Sequence, residues 1–158
     1  TAVRPGELRA APWCEFDLDT ATWTIPAARM KARRSHVVPL PRQAVTILRQ
    51  LHELTGSYSL LFPGQQNAER PMSENTINQA IKRLGFDGLL TGHGLRGTFS
   101  TALHEMGYDT TLIEGQLSHA DPNKTRAAYN HAAHVERRRA MMQDWADYLD
   151  RLEQAAPE

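Results

Sequence analysis

The sequence predicts an α+β domain dominated by helix, and three observations carry that prediction. Short aromatic and β-branched runs crowd the first forty residues or so. Longer segments follow with apolar residues at three- and four-residue spacing. Gly, Pro and Asp then fall where helices would begin or stop. At 158 residues the chain suits one domain around one core.

Taken in order, Arg4-Pro5-Gly6-Glu7 reads as a turn into a short helix ending near Ala11, because Pro is tolerated at a first helical position. Residues 15–17, 22–25 and 36–40 read as strands. The basic run 29–34 lies between the last two and so belongs on or near a hairpin. Pro41 opens a helix through about Leu54, with Val45, Leu48 and Leu51 or His52 on one face, and Gly56 stops it. Residues 60–64 form a buried turn or short extended piece, and 64–72 a surface loop. Ser73 is the expected N-cap of a helix carrying Ile77, Ala80, Ile81 and Leu84, ended by Gly85. A helix from about Leu95 to Met106 is closed by Gly107. Asp109 caps the next, with Leu112, Ile113 and Leu117 inward, and Asp121-Pro122-Asn123 starts one that includes Tyr129. The last helix sets Val135, Met142, Trp145, Leu149 and Leu152 on one face. Met141, Met142 and Trp145 read as core, and Arg137-Arg138-Arg139 as a solvated face.

Composition narrows the function. The 18 basic and 18 acidic residues cancel, which argues against a chain devoted to nucleic acid by overall charge. Distribution matters more, and Arg29, Lys31, Arg33 and Arg34 fall within six positions. No apolar run approaches the roughly 18 residues a membrane span requires, and no signal-peptide pattern opens the chain. Cys14 is the single cysteine and has no disulfide partner, as suits a cytoplasmic protein. No P-loop and no H-E-x-x-H occur, and His131 and His134 read as surface residues, so neither cofactor nor metal is expected.

Residues 92–130 carry the chemistry. His93 and Arg96 are three apart at a helix start, so both face one site, and backbone donors there favour an anion. Leu117-Ser118-His119 follows, then Ala128-Tyr129-Asn130 about ten residues on. This order resembles the tyrosine recombinase, or phage integrase, family, with wording closest to integrases of satellite phages and genomic islands. Val3-Arg4-Pro5-Gly6-Glu7-Leu8 is similar to the family's first-arginine motif. Met30-Lys31 with His36-Val37-Val38-Pro39-Leu40 is similar to its β-hairpin lysine. H-x-x-R alone is weak, and Tyr129 alone is no different from Tyr58, Tyr108 or Tyr148; five elements in register are specific.

The resemblance implies a small antiparallel three-stranded sheet packed against a helical bundle. It implies site-specific DNA recombination through a 3′-phosphotyrosine intermediate. Tyr129 is then the nucleophile, and Arg4 and Arg96 grip the phosphate oxygens. His93 and His119 assist, His93 as a candidate base, and Lys31 protonates the leaving 5′-oxygen. Glu7 orients an active-site side chain, while Arg29, Arg33 and Arg34 contact DNA. Two other readings keep the fold: a DNA-binding module without activity, and a type IB topoisomerase. Residues 1–158 are expected to be the strand-exchange domain, slightly truncated at its start, without the core-binding and arm-binding domains. The expected partners are double-stranded attachment sites and those missing domains, with a tetramer on DNA and a monomer off it. A nucleoid-associated place in the cytoplasm is expected, with no membrane partner.

Overall fold

The structure, a computed structural model, describes residues 1–119 and 131–155, with side chains from 134 onward in the second stretch. Helix α1 spans Pro5–Arg9, and the Glu7 carboxylate accepts the Arg4 backbone N–H at 3.0 Å, closing its first turn. Strands β1 (Phe16–Asp17), β2 (Thr22–Ile25) and β3 (His36–Pro39) form an antiparallel sheet in the order β1-β2-β3. Phe16 lies opposite Trp23, and Trp23 opposite Val38. Trp23 and Ile25 are buried while Thr24 is exposed, the alternation of a sheet with one wet face.

Helix α2 (Arg42–Thr55) begins and ends within a residue or two of expectation. Leu51 packs on the core, whereas the exposed His52 lays its ring against Trp13, centroids 4.8 Å apart. Helix α3 (Thr76–Ile81) starts three residues after Ser73, whose carbonyl accepts the Thr76 N–H at 3.0 Å. Beyond Ile81 the chain winds as a π turn through Lys82–Phe86, and Gly85 takes φ +89°. That winding takes Leu84 off the face of Ile77 and Ile81 and leaves it 73% exposed, contrary to expectation. Helix α4 spans Gly94–Glu105, with Gly107 at φ +82°. Helix α5 spans Thr110–Gln116, and the Asp109 carboxylate accepts the Thr111 N–H at 2.7 Å. Helix α6 spans His131–Ala155.

Two apolar clusters result. One joins the sheet to α1 and α2 through Trp23, Ile25, Val38, Leu40, Leu48 and Leu61. The other joins α4, α5 and α6 through Phe99, Leu103, Leu112, Ile113, Met141 and Met142, with Trp145 edge-on to Phe99 at 5.4 Å. The inward face of α6 ends there, since Leu149 and Leu152 are about half exposed. Its last turns lie over the first turn of α2 instead: Gln43 donates to Asp147 at 2.8 Å and to Asp150 at 2.7 Å. Carboxylates at that place also face the positive end of the α2 dipole. The arginine run needs a second correction. Arg137 is exposed, but Arg138 is buried, and Arg139 reaches the Ala21 carbonyl at 3.0 Å. Among the described residues no helix is long and apolar enough to cross a membrane.

Candidate active site

The site lies on the seam between the two clusters. Val3 is buried in the sheet cluster and Ala2 packs against the helical one, so Arg4 emerges where they meet. Gly92 makes the close approach possible. A Cβ there would stand 3.0 Å from Ile77 Cγ2 and 3.3 Å from Pro5 Cγ, and its N–H donates to Asn78 Oδ1 at 2.9 Å. The start of α4 is thereby pressed onto α1 and α3.

Arg96, on the first turn of α4, is 6% exposed. Its guanidinium donates to the Ala2 carbonyl and, at 2.8 Å, to the Leu117 carbonyl. Arg4 donates to the Ser118 carbonyl at 3.3 Å and to Glu7 at 2.9 Å. Both arginines therefore hold carbonyls at the C-terminal end of α5, where the helix dipole favours cations. Ser118 takes φ +52°, a left-handed conformation that turns the chain just after the helix. Burial lowers the Arg96 pKa, and the nearby Arg4 lowers it further, against the opposing pull of Glu7 and Glu114. Two like charges thus lie close enough to repel, and an anion between them would relieve that repulsion.

His119 Nε2 lies 3.4 Å from the Arg96 guanidinium, and its Nδ1 bonds the Glu114 carboxylate. A carboxylate only accepts, so Nδ1 carries a proton. A guanidinium only donates, so Nε2 accepts from Arg96 here, and donating to a phosphate oxygen takes a second ring proton. His93 immediately precedes α4 and is exposed, and its carbonyl accepts the Arg96 N–H at 3.1 Å. Lys31, Arg33 and Arg34 are exposed on the hairpin between β2 and β3. Arg29 is engaged within the protein: it pairs with Glu15 and donates to the Glu7 carbonyl at 2.6 Å. It fixes the base of the hairpin to α1 instead of facing outward with its neighbours. Tyr129 lies outside the described residues, two positions before α6.

The sequence reading missed Gln116, Arg138 and His36, which are buried behind this site. A signal for Arg138 existed, because it falls three after Val135 and four before Met142, on the inward stripe of α6.

Residues 1–136 match the sequence model of the Phage integrase family. The chain belongs to that family. Prophage integrase IntA of Escherichia coli is 46% identical over 149 residues, which is 94% of this chain and 36% of that protein. The integrase of Enterobacteria phage P4 is also 46% identical, over 95% of this chain and 38% of that protein. The chain thus spans little more than a third of the length of these integrases. Among solved structures, the integrase of mycobacterium phage Brujita aligns with a TM-score of 0.62 at 25% identity, over 89% of this chain and 46% of that one. XerA recombinase has a TM-score of 0.65 at 24% identity, over 85% of this chain and 52% of that one, and so shares the fold. The small antiparallel sheet with its mostly helical surround is the fold of these integrase-family catalytic domains.

Proposed function

We propose that this chain is the strand-exchange domain of a tyrosine site-specific recombinase that integrates or excises a mobile DNA element. One observation carries the reading. Arg4 and Arg96, far apart in sequence, grip adjacent carbonyls beside His119, and their mutual repulsion suits an oxyanion.

In this mechanism the Tyr129 oxygen attacks a backbone phosphorus, and the bond from phosphorus to the 5′-oxygen breaks. A 3′-phosphotyrosine forms and a 5′-hydroxyl leaves. Charge grows on the non-bridging oxygens, where Arg4 and Arg96 offer paired, charge-assisted hydrogen bonds. His93 takes the tyrosine proton and His119 donates to an oxygen, while Lys31 gives its proton to the departing 5′-oxygen. Glu7 acts through Arg4, which it holds at 2.9 Å. The covalent link conserves the phosphodiester energy, so rejoining needs no cofactor. Lys31, Arg33 and Arg34 meet phosphates from the hairpin. The partners are double-stranded attachment sites and the rest of the recombinase, tetrameric on DNA, in the cytoplasm beside the nucleoid.

The test is Tyr129→Phe in the full chain, with a nicked duplex that traps the covalent adduct. The adduct disappears while duplex affinity stays within twofold. Adduct formation by the Phe variant would sink the reading.

A further inference from the structure

Behind the site, Gln116 is fully buried and tied to three parts of the fold. Its Oε1 accepts from the Arg138 guanidinium at 3.0 Å, and its Nε2 donates to the Thr1 carbonyl at 2.9 Å. Its own carbonyl faces His36 Nε2 at 3.1 Å. A carbonyl only accepts, so that ring nitrogen carries the proton. Gln116 therefore connects α6, the N-terminal segment and β3. The next two carbonyls along the chain, those of Leu117 and Ser118, are the ones that hold Arg96 and Arg4. A shift of Gln116 moves both anchors of the phosphate site.

Arg138 is the unusual partner. It is 4% exposed, and its hydrogen bond to Gln116 is to a neutral group. Burial pushes its guanidinium down to about 10, which still leaves a cation at neutral pH. A buried cation is costly, and a methionine of similar reach packed beside Gly115 would fill the space without that cost. What the guanidinium adds is direction, because a bond to one amide oxygen fixes the rotation and the height of α6 against α5. Arg138 lies two turns into α6, and α6 begins two residues after Tyr129.

We propose that Gln116 and Arg138 are positioning residues that lock the helix following Tyr129 to the turn that anchors Arg4 and Arg96. The proposal rests on the recombinase reading above. The pair ties the described part of that helix to the placement of the phosphate site.

Arg138→Met, Arg138→Lys and Gln116→Met in the full chain test it. The measurements are single-turnover adduct formation at saturating nicked duplex, duplex affinity and thermal midpoint. Arg138→Met slows adduct formation about tenfold at an affinity within twofold of wild type, and Arg138→Lys, which keeps one donor, restores part of the rate. If Arg138→Met does not fold, Gln116→Met carries the same expectation. A lowered midpoint with an unchanged rate per folded molecule would show a merely structural pair and overturn the proposal. An equal loss of affinity and rate would make Arg138 a DNA contact and overturn it too. If wild type forms an adduct that Tyr129→Phe abolishes, an unchanged rate in the variants overturns this proposal alone. If wild type forms none, the recombinase reading falls and takes the proposal with it.

Discussion

Ser118 shows how much one residue's backbone decides. Its positive φ turns the chain after α5, so that its own carbonyl and that of Leu117 meet two guanidiniums. A left-handed conformation costs a side-chain-bearing residue about 1–2 kcal/mol. Ser118→Gly relieves that strain but loosens the unfolded chain, so it is neutral or stabilising by up to about 1 kcal/mol. Ser118→Val, β-branched, destabilises by about 2 kcal/mol. Thermal unfolding of the two variants checks the order, and Val more stable than Gly would remove the strain argument. Lys31 gives a second prediction at this scale. In the proposed role of general acid, its loss in Lys31→Ala slows cleavage about 100-fold or more on an ordinary 5′-oxygen leaving group. A 5′-thiolate leaves without a proton, so the same variant cleaves that substrate at nearly the wild-type rate. Equal defects on both substrates would give Lys31 a phosphate-binding role.

Where elements meet, the contact between α1, α3 and the start of α4 places Arg96 beside Arg4, and Gly92 sits at its tightest point. Gly92→Ala drives a methyl against Ile77 and Pro5 and is expected to destabilise by about 1–3 kcal/mol. The adduct rate should fall further than stability alone explains, because the two arginines move apart. A variant of wild-type midpoint and rate would show that the contact has slack. Tyr108 joins the end of α4 to α6 through its hydrogen bond to Asp144. Burial, then that bond and the carboxylate's charge, push its hydroxyl up to about 12. A raised folded pKa contributes stability that is complete below the unfolded value near 10 and is lost as pH rises toward 12. Tyr108→Phe should therefore flatten the loss of stability above pH 10, and denaturant melts at pH 9 and pH 11 read the difference. An identical pH slope in both proteins would mean that the bond does not matter.

At the scale of the whole molecule, charge balance bears on how the proposed strand-exchange domain would meet DNA. With 18 basic and 18 acidic residues, overall charge offers DNA no attraction, and the proposed contacts are a few placed cations: Arg4, Arg96, Lys31, Arg33 and Arg34. Each neutralised phosphate contributes roughly −0.9 to the slope of log affinity against log salt, so a slope of about −3 to −5 is expected. The chain by itself should be a monomer that binds duplex weakly, with little site preference. Light scattering and a salt titration measure both, and a stable DNA-free tetramer or tight site-specific binding at physiological salt contradicts the expectation. A chelator should leave adduct formation unchanged, since every charge stabiliser proposed is a side chain; activity lost in chelator and restored by magnesium would require another mechanism.

Local signals in the chain mark most of the described elements and the order of the motifs. Strand alternation at Trp23 and Ile25, the Asp109 cap and the Gly107 stop are local physics, written within a few residues of where they act. What tertiary structure decided is which polar groups are spent on the protein itself. Arg29 and Arg138 look like their exposed neighbours in the chain, yet one clamps the hairpin to α1 and the other is buried against Gln116. Leu149 and Leu152 continue a helical stripe that has nothing left to cover, because the bundle stops short of them. Periodicity states which face of a helix a residue occupies. Whether that face meets core, carboxylate or water depends on elements brought in from elsewhere in the chain, and no local signal records their arrival.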